Sequence, residues 1–199
     1  MLNTRTFSLL LLLLTAQLLP AQHLVRRGSM GFQPIPVTDS IAKAHRLKSP
    51  QGLLVGNVRP NGTWAALKVE VGDIVLRIQD RQANDFPTLI DIRDQLQGGS
   101  DIEVVVWRKG KEKKLKGEVT PVPMEQSTDR YEVMYEEAAF QTGYLRTIIN
   151  KPRTPGPHPT IYFIPGYTCA SVDNMNPIHP YRKLIDSLAN LDYVIFRIE

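Results

Sequence analysis

The side chains best suited to hydrolytic chemistry are Ser171, Asp173 and His179, which crowd one short stretch. A serine hydroxyl becomes a nucleophile only when a base takes its proton and a third group orients that base. The three types are present, but they share one loop with no strand–turn–helix elbow to expose the nucleophile. No G-x-S-x-G occurs in the chain, and Gly28-Ser29-Met30-Gly31 departs from that pattern by one spacing. Cys169 near His179 could supply a thiol nucleophile, or it could be a small buried hydrophobe. His23, His45, His158 and His179 lack metal-ligand spacing, so neither a metal nor a cofactor is expected. A single cysteine excludes an internal disulfide.

The elements that would position this chemistry lie on either side of it. Thr160–Ile164 is an unbroken apolar or β-branched run, which reads as a fully buried strand. Pro165-Gly166 breaks it into a loop. A helix over Tyr181–Leu191 and a second buried strand over Tyr193–Ile198 follow, so the stretch is a β-loop-α-β unit. Its glycine-containing loop sits at the carboxyl end of the first strand, where α/β sheets place their active sites. Tyr131–Phe140 and Tyr144–Asn150 precede it as two strands joined by a turn at Gln141–Gly143, and the proline-rich 152–159 segment is a stiff loop. Two parallel strands alone leave a sheet open at its faces and edge. The expectation is a domain that continues past Glu199.

Residues 26–121 are punctuated as a separate α+β unit. Gly52–Val58 and Asp73–Ile78 read as strands with an Asn61-Gly62 turn between them. Phe86–Leu96 carries apolar residues at Leu89, Ile92 and Leu96, a helical stripe, and Gly98-Gly99 stands where a left-handed cap needs glycine. Ile102–Trp107 and Leu115–Val119 flank Lys109-Gly110 as a hairpin. The basic run Arg108–Lys116 then falls on its wet tip, so no nucleic-acid partner is expected. Residues 122–130 read as a linker.

Composition agrees with a globular protein: 199 residues, 42% hydrophobic, 22% charged, net charge +4. At the amino terminus Arg5 precedes an apolar run over Phe7–Leu19, too short for the roughly 20 residues of a membrane span. Cleavage after Ala21 would remove residues 1–21 as a signal peptide. The expected location is therefore periplasmic or extracellular, without a stable membrane anchor.

From Arg27 onward the first unit resembles a PDZ domain of exported bacterial proteins. The resemblance rests on Arg27-Gly28-Ser29-Met30-Gly31-Phe32, Gly52-Leu-Leu-Val55, Val71-Gly72-Asp73-Ile74-Val75 and Arg108-Lys109-Gly110-Lys111. It implies capture of an extended peptide or C-terminus by strand addition. The backbone N–H groups of Met30, Gly31 and Phe32 would receive the carboxylate, Phe32–Val37 would be the receiving strand, and the facing helix would carry Leu89, Ile92 and Leu96. Those three could equally fill the core. Pro34 and Pro36 depart from the pattern, because neither can donate to an added strand, which implies weak capture.

Residues 131–199 resemble the opening of an α/β-hydrolase domain, on Tyr162-Phe-Ile-Pro165-Gly166-Tyr167, Ser171-Val-Asp173, His179-Pro-Tyr181 and Val194-Ile-Phe-Arg197. The implied role of Tyr167 is to donate its backbone N–H to an oxyanion, with Gly166 allowing close approach. Nucleophile, acid and histidine would follow beyond residue 199. The chain thus reads as the amino-terminal fragment of an exported serine hydrolase of ester or peptide bonds, joined to a peptide-binding domain and itself inactive. The alternative is a non-enzymatic peptide-binding or scaffolding module.

Overall fold

The computed structural model describes residues 24–164 and 171–199, which form two sheets. In the first, β1 (Phe32–Pro36), β2 (Leu53–Val58), β3 (Ile74–Ile78), β5 (Asp101–Arg108) and β6 (Lys111–Glu118) lie in the order β1-β2-β3-β5-β6, and the short β4 (Arg81–Gln82) pairs with β3. Helices α1 (Asp39–Ala44), α2 (Thr63–Ala66) and α3 (Phe86–Gln95) complete the unit. α1 and α2 carry no strong sequence periodicity, and the turn expected at Asn61-Gly62 proves to be the entry to α2.

β5 is apolar along Val104–Val106 because it lies between β3 and β6 and is buried there. β6 is the opposite edge, and only Leu115 in it is buried. Lys109 and Gly110 both have positive φ (52° and 82°), the geometry of a two-residue hairpin turn that matches strand twist. The basic run is solvated, with Lys116 and Lys114 on Glu103 at 2.9 and 3.4 Å. Hydrogen bonds from Lys116 and then Lys114 hold the Glu103 carboxyl below its ordinary range. At the hairpin base Arg108 forks onto the buried Asp73 at 2.7 and 2.6 Å, which raises its own pKa.

Asp85 caps α3 by accepting from Thr88 N–H at 2.8 Å, and that bond lowers its carboxyl pKa. The far end differs from the expectation. The helix stops at Gln95, with Leu96 already extended (φ −76°, ψ 122°), so no left-handed glycine closes it. Gly98 serves close approach instead, because a Cβ there would meet Pro121 Cβ at 2.5 Å.

The second sheet holds β7 (Tyr131–Phe140), β8 (Gly143–Pro152), β9 (Thr160–Phe163) and β10 (Val194–Ile198) in the order β7-β8-β10-β9. β9 and β10 are parallel and the other pairs antiparallel. Between β9 and β10 runs α4 (Pro180–Asn190), which buries Ile185 and Ala189 against Tyr131 and Ile195. Thr160–Ile164 is not the fully buried strand its composition suggests: Tyr162 is 50% and Ile164 75% exposed. The reason is position, since among the described residues β9 is the edge of the sheet and pairs with β10 alone. Residues 122–130 are likewise not a free linker, because the Glu125 side chain is fully buried. Among the described residues no helix is long and apolar enough to cross a membrane, and no cluster of metal-ligating side chains occurs.

Candidate peptide-binding site

The loop Met30–Phe32 is assembled by spending its carbonyls inward. Ser29 C=O accepts from Thr63 N–H (2.8 Å) and Thr63 Oγ1 (2.6 Å), Met30 C=O from Trp64 N–H (3.2 Å), and Gly31 C=O from Arg59 N–H (2.7 Å). Among the described residues no acceptor takes the N–H of Met30 or Gly31. Gly31 makes the turn at φ +79°, where a side chain is disfavoured, and a Cβ on it would sit 3.1 Å from Gly62 Cα. Gly62 meets Gly31 in return, and a Cβ there would lie 3.0 Å from Gly31 Cα. The loop is pinned upstream as well, through Gly28 N–H to Leu96 C=O and Ser29 N–H to Thr120 C=O, both 2.8 Å. A Cβ on Gly28 would strike Val119 Cγ1 at 2.5 Å. Two unspent amides at a sign change in φ are a concavity suited to an anion.

The loop opens onto the free edge of β1. Val55 gives both backbone groups to the β3 side, bonding Asp73 C=O (2.8 Å) and Gly72 N–H (2.9 Å). The Pro34–Val55 pair is therefore not hydrogen-bonded, and Pro34 turns its backbone groups outward. By alternation Phe32 and Pro36 face outward too, which agrees with the inward-facing Gly31 carbonyl. The edge thus offers the N–H of Phe32 and then the carbonyls of two prolines without donors. A register shift between Gln33 and Pro34 adds Gly56 on β2, where a Cβ would lie 2.7 Å from Ile35 Cδ1.

Leu89, Ile92 and Leu96 are 7%, 4% and 8% exposed and belong to the core cluster around Trp64. Their side chains pack into that core. The apolar side chains that α3 leaves exposed are Phe86 and Ile90, at 43% and 45%, and the stripe reading missed both. Met30 and Phe32 also bury their side chains, Phe32 edge-on to Trp64 at 5.2 Å, so only their backbone is offered. Sequence reasoning missed Gly62 and Thr63 as supports; the glycine was visible only as half of a turn dipeptide.

The hydrolytic candidates give their side chains to other partners, although Asp173 N–H donates to Ser171 Oγ at 3.2 Å. Ser171 Oγ donates to Glu199 at 2.6 Å, Asp173 accepts from Tyr135 at 2.7 Å, and His179 caps α4 at Tyr181 N–H, 3.2 Å. No triad results. Gly166 and Tyr167, assigned to an oxyanion hole, and Cys169 lie outside the described residues, as do residues 1–21 and His23.

Residues 28–119 match the PDZ domain family model. Those residues form a PDZ domain. A probable periplasmic serine endoprotease DegP-like of Bartonella henselae is 28% identical over 111 residues, 56% of this chain and 22% of the relative. Another from Pseudomonas savastanoi pv. phaseolicola is 34% identical over 113 residues, 55% and 23%. The chain thus spans about a fifth of the length of these curated relatives. Among solved structures, the HtrA-type protease AlgW with decapeptide gives a TM-score of 0.44 at 27% identity, covering 50% of this chain and 31% of that one. The HtrA3 PDZ domain bound to a phage-derived ligand gives 0.40 at 19%, covering 48% and 86%. The curated relatives are named as serine endoproteases, so they do not support the expectation that residues 131–199 belong to an α/β-hydrolase.

Proposed function

We propose that residues 28–119 capture the free C-terminus of an extended peptide. The observation that carries this is the Met30–Phe32 loop, whose carbonyls are consumed inward while the amides of Met30 and Gly31 stay unspent beside an open strand edge. The carboxylate would sit on those amides and the peptide would run along β1, with its side chains toward Phe86 and Ile90. Because Pro34 and Pro36 remove ladder donors, affinity concentrates at the terminus. Titration of one peptide in free-acid and amidated forms tests this. The free acid should bind at least about tenfold tighter, as charge-assisted bonds to backbone amides are worth about 1.5–3 kcal/mol. Equal affinity would overturn it.

The second sheet we read as the opening of an exported serine hydrolase domain that acts on acyl bonds. The DegP-like relatives, named as periplasmic, favour peptide bonds and export. The strand order β7-β8-β10-β9, with α4 crossing between a parallel pair, favours the α/β-hydrolase arrangement for this portion. There Tyr167 N–H would face the oxyanion beside Gly166. In a longer chain that carries the nucleophile, Tyr167→Pro should lower turnover about 10²–10³-fold. Tyr167→Ala should retain most of it, and a well-folded Tyr167→Pro enzyme of normal rate would remove the assignment.

A further inference from the structure

We propose that Arg26, Arg27 and Glu125 form a clamp that holds the PDZ domain in one orientation against the second sheet. A tether between independent domains is exposed and polar and makes few contacts. Here the connecting segment does the reverse. The Glu125 carboxylate, without exposure, takes two bonds from Arg197 (2.8 and 2.9 Å), one from Asn174 N–H (3.0 Å) and an ion pair from Arg182 (3.1 Å). Arg197 comes from the middle of the second sheet and is itself fully buried.

The segment entering the PDZ domain is held at the same place. Arg26 pairs with Asp173 at 2.9 Å, lies 4.8 Å over the Tyr135 ring, and donates to Val122 C=O at 2.7 Å. Tyr135 closes the circuit: its hydroxyl donates to Asp173 (2.7 Å) and accepts the Glu125 N–H (2.9 Å). Arg27 reaches past this to Glu199 at 2.7 Å and to the Ser171 hydroxyl. Both chain segments that join the domains therefore end in charges whose partners lie within residues 131–199. Swinging the domains apart would pull Glu125 out and leave Arg197 buried without its counter-charge. Such uncompensated burial disfavours the open form by roughly a hundredfold or more. The amides of Met30 and Gly31 take no part, so the clamp and the peptide site stand or fall separately.

Backbone 15N relaxation of the full chain tests the clamp. Residues 28–119 and 131–199 should report the same rotational correlation time. Glu125→Gln with Arg27→Met should split that time into two and raise protease cleavage within residues 122–130 roughly a hundredfold. Affinity for a C-terminal peptide should change less than about twofold, as for distant sites. Different correlation times in the unmodified protein would overturn the proposal, as would a single time in the double variant. Should Glu125→Gln fail to fold, the relaxation of the unmodified chain still decides.

Discussion

The PDZ sheet closes around a continuous apolar core centred on Trp64, with Leu53, Val55, Ile78 and Val104 scarcely exposed. Among the described residues the second sheet and its helix bury a much smaller apolar set, Tyr131, Ile148, Val172, Ile185, Ala189 and Ile195, and place the guanidinium of Arg197 at the same depth. They also leave Ile164, Ile178 and Leu191 at 75%, 74% and 68% exposure. An apolar core loses stability gradually, one methylene at a time. A buried ionic cluster is all-or-none, because removal of one partner strands the other. The two regions should accordingly respond to mutation in different ways.

Glu125→Ala should produce the sharpest break. With Arg197 and Arg182 stranded, the second sheet should lose about 3–5 kcal/mol. Both tryptophans, Trp64 and Trp107, lie in the PDZ domain, so their fluorescence transition should barely move while far-UV dichroism gains an earlier one. A shared, equally shifted transition would mean that the two sheets unfold together. Gly31→Ala should reverse the pattern. Its left-handed backbone would cost about 1–2 kcal/mol, visible in the tryptophan transition, and the reshaped loop should weaken capture of a free C-terminus.

A smaller effect should come from Pro34→Val with Pro36→Val. Each restored donor on the outward edge adds about 0.5–1.5 kcal/mol to peptide binding, and calorimetric titration should show tighter binding with no change in the second sheet. Unchanged affinity would mean that the bound chain does not pair with β1. The mildest probe is pH. Burial, foremost, pushes the Tyr135 hydroxyl from 10.0 up to about 12. Between those values the unfolded chain releases the proton first, so stability contributed by Tyr135 is complete below about 10, falls as pH rises and levels off above about 12. Chemical denaturation across that window should show a shallower decline for Tyr135→Phe.

The sequence marked most strands of both sheets because the β-branched and aromatic runs at Val104–Trp107 and Val194–Phe196 are pairing signals that act locally. Gly31 was marked by the PDZ resemblance, and its φ of +79° is a geometry that other residues resist. The sequence could not decide the stripe Leu89, Ile92, Leu96 between groove and core: periodicity identifies a buried face of a helix, and says nothing of whether that face meets a ligand or the core. Gly98 failed similarly, because its need was close approach to Pro121, distant in the chain, and not a helix cap.

What the sequence determined by itself was therefore most of the strands and the two longer helices, consequences of neighbours along the chain, while the glycine-hinged loop was legible through the PDZ resemblance. The tertiary structure alone decided three further matters. It turned the amides of Met30 and Gly31 outward by occupying their carbonyls from Trp64 and Arg59. It gave the side chains of Ser171, Asp173 and His179 to Glu199, Tyr135 and the Tyr181 N–H, and not to one another. It drew Glu125, one acidic residue in a polar stretch, into contact with Arg197 across 72 positions. A charge on a linker looks solvated until the fold brings two arginines to it, and no local pattern encodes that meeting.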